Sequence, residues 1–312
     1  MADTRSRAVR LLTGLAWAVF AGGALPAVAG AGVPEWAACP TPAPITAGDA
    51  DTDLRTAGLI QDELRRQGVT VAVVARSGLN LGRIGHRYSH AGFLRPLADG
   101  EAGAGVWAVR QLYFACHTRQ ARVFDEGLAG FLRGVGDHAW PRWSAVWWPD
   151  ASARILAQAV ADDGLALALL SPQYQAQAHA WNLVTQNCNQ WLVELLAAAF
   201  SGARDRAGAQ VWLREQGYLP SAVQLPGVAW LMAAAVLPHM GLAHHPPEGL
   251  QALRFEVSLP ASIERFVQAR WPRAQRLEWC RRGGEVVVRR SWEPLDEACT
   301  PGPGDEVKPL EP

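Results

Sequence analysis

Apolar side chains recur at helical spacing from Leu54 to Gln67. Leu54, Ala57, Leu59, Ile60 and Leu64 fall near one face with charges opposite, and Gly68 follows as a stop. Val69 to Ala75 is a β-branched run that reads as a buried strand. Tyr88 to Leu94 reads as a second strand and Val106 to Phe114 as a third, antiparallel to it, with Asp99-Gly100 marking a turn between them. Phe124 to Leu132 predicts a short helix or turn. Trp140, Trp143, Trp147 and Trp148 crowd one stretch and predict a core or groove wall. Ala151 to Leu170 predicts a helix that buries Ile155, Leu156, Ala159, Val160 and Leu167. Gln186 to Phe200 predicts another, with Trp191, Leu192, Leu195, Leu196 and Ala199 facing in. Val228 to Leu237, between Pro226 and Pro238, is too short to span a bilayer and reads as a buried helix. Ser262 to Ala269 predicts a helix. Leu277 to Cys280 and Glu285 to Arg290 predict strands joined by Arg281-Arg282-Gly283-Gly284. The fold class expected is α+β, a small antiparallel sheet packed on helices.

The ends have their own character. Arg5, Arg7 and Arg10 form a positive region, Leu11 to Leu25 carries no charge, and Ala27-Val28-Ala29 offers small residues to a signal peptidase. Residues 1–29 therefore read as a cleaved export signal, which places the mature protein in the periplasm and leaves it no integral membrane span. Residues 30–50 read as a loose lead-in, 51–220 as the main domain, 221–299 as a C-terminal helix and hairpin extension, and 300–312 as a disordered, Pro- and acid-rich tail.

Charge narrows the partners. Basic and acidic residues number 29 each, and removing residues 1–29 leaves 26 against 28. No electrostatic field marks a nucleic-acid partner or draws the chain to anionic membranes. Export gives the five cysteines an oxidising compartment. The odd count leaves at least one unpaired within a monomer, and Cys188 is the candidate. Cys39, Cys116, Cys280 and Cys299 permit three pairings. Cys280 with Cys299, across the expected hairpin, fits readily.

Two short segments carry chemistry. Thr185-Gln186-Asn187-Cys188-Asn189-Gln190-Trp191 stands at the start of a strong helix. A cysteine there meets unsatisfied N–H groups and the positive end of the helix dipole, which favour the thiolate and a lowered pKa. The thiolate is the nucleophile of acyl transfer, and Gln186, Asn187 and Asn189 offer donors to an oxyanion. The alternative is a buried small hydrophobe beside an Asn cap. In Tyr88-Ser89-His90-Ala91-Gly92-Phe93 a histidine interrupts an apolar strand, as a base does, or as a hydrogen-bonded core histidine does. No metal or cofactor is expected. His86 and His90 are four apart on a turn and strand, His244-His245 are adjacent, and Gly78, Gly82 and Gly85 lack the phosphate-loop context.

His-Ala-Gly-Phe on an early strand, then Asn-Cys-Asn opening a later helix, resembles the circularly permuted NlpC-type papain-like superfamily, which includes lecithin:retinol acyltransferase. There histidine precedes cysteine, as here. Three segments, Tyr88 to Leu94, Phe124 to Leu132 and Trp181 to Ala199, also resemble a bacterial secreted family, domain of unknown function 2145. The resemblance implies a papain-like core with Cys188 as nucleophile, His90 as base and a polar residue on the next strand to orient it. Gln111 is the candidate for that residue, with Arg110 next and His117 third. Gln111 can accept from an imidazole N–H through its amide oxygen. The function expected is an exported thiol hydrolase or acyltransferase acting on an amide or ester, in cell-wall peptide, lipid or a protein acyl group. The alternative is a non-catalytic periplasmic binding or assembly protein of the same shape, its groove lined by Trp140 to Trp148. A third reading is peripheral membrane docking through Val228 to Leu237.

Overall fold

The computed structural model describes residues 44–78, 81–97, 106–115, 118, 120–133, 141–225, 227, 241 and 244–310. The expected signal segment, Cys39, Cys116, His117, Trp140 and Val228–Leu237 lie outside the described residues. In chain order the N-terminal half contains α1 (Ala47–Arg66), β1 (Ala72–Arg76), β2 (His90–Pro96), β3 (Trp107–Ala115), β4 (Gln120–Gly127), α2 (Leu128–Arg133), β5 (Arg142–Trp147), α3 (Ala151–Ala161) and α4 (Asp163–Ala168). Next come β6 (Gln173–Tyr174), β7 (Thr185–Gln186), α5 (Cys188–Ser201), α6 (Arg206–Glu215), β8 (Ser221–Gln224), α7 (Pro247–Ala252), β9 (Arg254–Val257) and α8 (Pro260–Arg270). The chain closes with β10 (Gln275–Arg282), β11 (Glu285–Arg289) and β12 (Glu306–Pro309).

The class is α+β, but the sheet is large, with eight antiparallel strands in the order β12-β11-β10-β5-β1-β2-β3-β4. β1 lies at its middle and is buried throughout, which is why Ala72 to Ala75 shows no alternation. Alternating residues then feed two cores. Val73, Ala75, Ala91, Phe93, Leu112 and Val146 pack with α3 and α5 on one side, through Leu156, Trp191, Leu192 and Leu195. Ala72, Val74, Leu94, Val109 and Ala145 pack on the other with Ile60 and Leu64 of α1 and Phe131 of α2.

The hairpin of the expected C-terminal extension joins the main sheet. β10 pairs along β5, Leu277 opposite Ala145 and Trp279 opposite Trp143. Without it β5 would end the sheet with its backbone groups unpaired. The tail is not wholly disordered either. β12 adds to β11, Val287 opposite Val307. Its charges meet partners: Arg289 with Asp305 at 2.6 Å, Arg290 with Glu306 at 2.8 Å and Lys308 with Glu63 at 2.8 Å. Cys280 and Cys299 form a disulfide in a small cluster with Val287 and Leu295.

Other boundaries move for local reasons. α1 begins inside the expected lead-in, because Thr46 and Asp49 form a capping box. Phe124 to Gly127 is strand, paired with β3, and the helix follows only from Leu128. The helix expected from Ala151 to Leu170 breaks at Asp162, whose carboxylate caps α4 by accepting from the Leu165 N–H at 3.0 Å. Trp143, Trp147 and Trp148 are buried, so the tryptophan stretch forms core and not an open groove wall. Among the described residues no helix is long and apolar enough to cross a membrane.

Candidate functional site

The segment before α5 is held by a buried polar network. Asn187 caps the helix, its Oδ1 accepting from the Gln190 N–H at 2.7 Å, so Cys188 occupies the first helical position. Asn187 Nδ2 donates to the carbonyls of Ala176 and Ser258. Gln186 donates to Leu169 O and to Glu194 and accepts from the Ser171 N–H. Glu194 is fully buried and pairs with Arg206 at 2.8 Å. Arg206 also donates to the carbonyls of Asn182, Leu183 and Thr185. The network explains why α5 is buried on every side from Cys188 to Ala198 and is not one-faced, as its sequence suggests. It also means that Gln186 and Asn187, expected as oxyanion or substrate donors, are occupied in holding the chain. Asn189 Nδ2 donates to Ser89 O at 3.1 Å, tying the start of α5 to the residue before His90, while its Oδ1 has no hydrogen-bond partner among the described residues.

His90 opens β2 and lies opposite Arg76 of β1. Its Nε2 meets Gln111 Oε1 at 2.5 Å, and Gln111 Nε2 donates to Glu126 Oε2 at 2.6 Å. Because an amide oxygen only accepts, this contact puts the ring proton on Nε2 and leaves Nδ1 with the basic lone pair. Register explains the chain. Gln111 of β3 and Glu126 of β4 lie on neighbouring strands, Val109 being opposite Glu126. Gly92 clears the space before Gln111, since a Cβ there would sit 2.4 Å from Val109 Cγ1 and 3.3 Å from Gln111 Cβ. The ring is flanked by Tyr113 and Phe131, with centroids at 5.7 and 6.0 Å. Arg110, the second candidate to orient His90, is engaged with Asp125 and Asp163.

Cys188 is the free cysteine among the described residues and is 6% exposed. Burial pushes its thiol up to about 11, against the Tyr174 hydroxyl, the N–H groups of Asn189 and Cys188 and the charge of Arg76, all of which act downward. The helix-start effect expected from sequence is therefore present but outweighed by desolvation. His90 is shifted the other way, to about 3, by burial and then by Arg76, with the Gln111 hydrogen bond opposing. Thiol and imidazole are thus both neutral at neutral pH. Among the described residues the thiol makes no hydrogen bond to His90; the partners that act on it are Tyr174 and backbone N–H groups.

Four participants escaped the sequence reading. Arg76 ends the apolar run of β1, and its charge acts on both Cys188 and His90. Glu126 lies in a segment expected to be a short helix or turn and found to be strand. Tyr174 and Tyr113 carried no motif. Only Arg76 left a trace in the sequence, as a charge closing a buried strand. Among the described residues no three His, Cys, Asp or Glu side chains gather as a metal site.

No curated protein and no solved structure matches the chain. A family model described as an uncharacterized protein conserved in bacteria, DUF2145, matches residues 63–267, which span β2, β3, α5 and every residue of the site named above. With nearly two thirds of its length matched, the chain belongs to that bacterial family.

Proposed function

We propose that this protein is an exported, papain-like thiol hydrolase or acyltransferase in which Cys188 is the nucleophile, His90 the base and Gln111 the residue that orients His90. The observation that carries the reading is the His90–Gln111–Glu126 chain, which pins one ring nitrogen as a donor and reserves Nδ1 for a proton. Support also comes from Cys188 at the head of a buried helix tethered next to His90, and from the chain order of histidine before cysteine. The disulfide between Cys280 and Cys299 accords with an exported, periplasmic location.

The chemistry starts from neutral partners. As the sulfur attacks an amide or ester carbonyl, its proton passes to His90 Nδ1. The N–H groups of Cys188 and Asn189, which already face the sulfur, stabilise the tetrahedral oxyanion. Collapse expels an amine or alcohol, which takes the proton from His90. Water or a second acceptor then releases the acyl group from the thioester. In the closed state the thiol is sealed, so turnover requires an opening that admits the substrate and brings sulfur to Nδ1.

That sealing favours a second reading, a binding or assembly protein with the same core and no turnover. Incubation with p-nitrophenyl acetate separates the two. The enzyme reading expects an acetyl thioester on Cys188, absent in Cys188→Ala and formed about a hundredfold more slowly in His90→Gln. Absence of the adduct in the wild type, or a rate unchanged in His90→Gln, removes the enzyme reading.

A further inference from the structure

Five arginines are buried among the described residues: Arg76, Arg110, Arg142, Arg206 and Arg276. Four of them pair with carboxylates. Arg110 meets Asp125 and Asp163, Arg142 meets Glu297, Arg206 meets Glu194, and Arg276 meets Glu264 and Glu278. Arg76 is 6% exposed and has no carboxylate within 4 Å among the described residues, and its Nε is buried without a hydrogen-bond partner. Around it stand the Phe131 ring, 5.5 Å from the guanidinium carbon, the Tyr113 side chain, which hydrogen-bonds it, and Glu126, which acts on it electrostatically while bonding to Gln111. A guanidinium does not shed its proton on burial, and a ring face replaces only part of its lost hydration.

The position of this charge gives it meaning. Arg76 lies opposite His90 across two strands, and its charge reaches Cys188. A guanidinium holds its N–H donors in a planar fork, a geometry that fits a carboxylate, and here Nε is the donor left unused. We propose that Arg76 is the anion receptor of this site and pairs with a carboxylate on the acyl group, so the substrates are amides or esters of acidic acyl groups. The inference rests on Cys188 being the nucleophile of that site.

Two alkylating reagents of nearly equal size test it. Iodoacetate carries a carboxylate and iodoacetamide does not. Their relative rates at Cys188 are read from the Cys188 peptide by mass spectrometry, in the folded full chain and in the same chain unfolded in urea. Arg76 raises the iodoacetate-to-iodoacetamide ratio in the folded protein at least about tenfold over the unfolded chain. Arg76→Lys retains most of that gain, and Arg76→Gln returns the ratio to the unfolded value. A folded wild-type ratio at or below the unfolded one overturns the anion receptor while leaving a reactive Cys188 in place. If neither reagent labels folded Cys188, both the receptor and the nucleophile reading fail.

Discussion

Replacement of His90 by Gln changes how stability depends on pH, and the structure sets the size of the change. His90 is buried beside Arg76, and its folded pKa of about 3 lies well below the value of about 6.5 for an unfolded histidine. Between those two values the unfolded chain binds a proton at this position and the folded chain does not. Stability from the neutral ring is complete above pH 6.5 and falls as pH drops toward 3. The loss is about 1.4 kcal/mol for each pH unit below 6.5, or about 2.7 kcal/mol by pH 4.5. Carboxylates add their own acid lability. Burial pushes Glu63 up, but Lys308 and Arg290 override it and hold Glu63 at about 2. Such terms are common to both proteins and cancel in a difference. Urea unfolding of wild type and His90→Gln at pH 7, 6, 5 and 4.5 isolates the ring. The variant gains on the wild type steadily below pH 6.5. A difference that stays flat over this range would mean that the native ring is solvated, and the closed site with its repelling Arg76 would be refuted.

The network beneath Cys188 is more sensitive still. Arg206→Met leaves the buried Glu194 carboxylate without its cation and takes one donor from each of three carbonyls, so urea unfolding at pH 7 records a loss of about 3–5 kcal/mol; a loss under about 1 kcal/mol contradicts the ion pair. Gly92→Ala drives a Cβ to 2.4 Å from Val109 Cγ1 and 3.0 Å from Arg110 O, which costs about 1–3 kcal/mol in thermal unfolding and pushes Gln111 away from His90. Unchanged stability in that variant shows that β2 and β3 are less closely apposed than described.

Local signals were enough for several elements. The apolar stripe from Leu54 to Leu64, the β-branched run at Val69 and the Asn cap before Cys188 each specify a helix or strand from neighbours a few residues away. The Gln111 candidate came from resemblance and from strand order, and the register beside it is what puts its amide against the ring. Long-range partners left no such mark. Nothing near Arg206 in the chain announces that it fills the space under Glu194, Asn182 and Thr185. The C-terminal hairpin looked like an appendage because its partner, β5, lies more than a hundred residues earlier. Composition misjudged the tail for the same reason, since Asp305 and Glu306 are acidic in sequence but neutralised by arginines in space. Sequence by itself determined several of the helices and strands and that one cysteine opens a helix. Tertiary structure alone decided how deeply that cysteine lies and which charge stands near it, because desolvation and Coulomb energy depend on distance in space and not on separation along the chain.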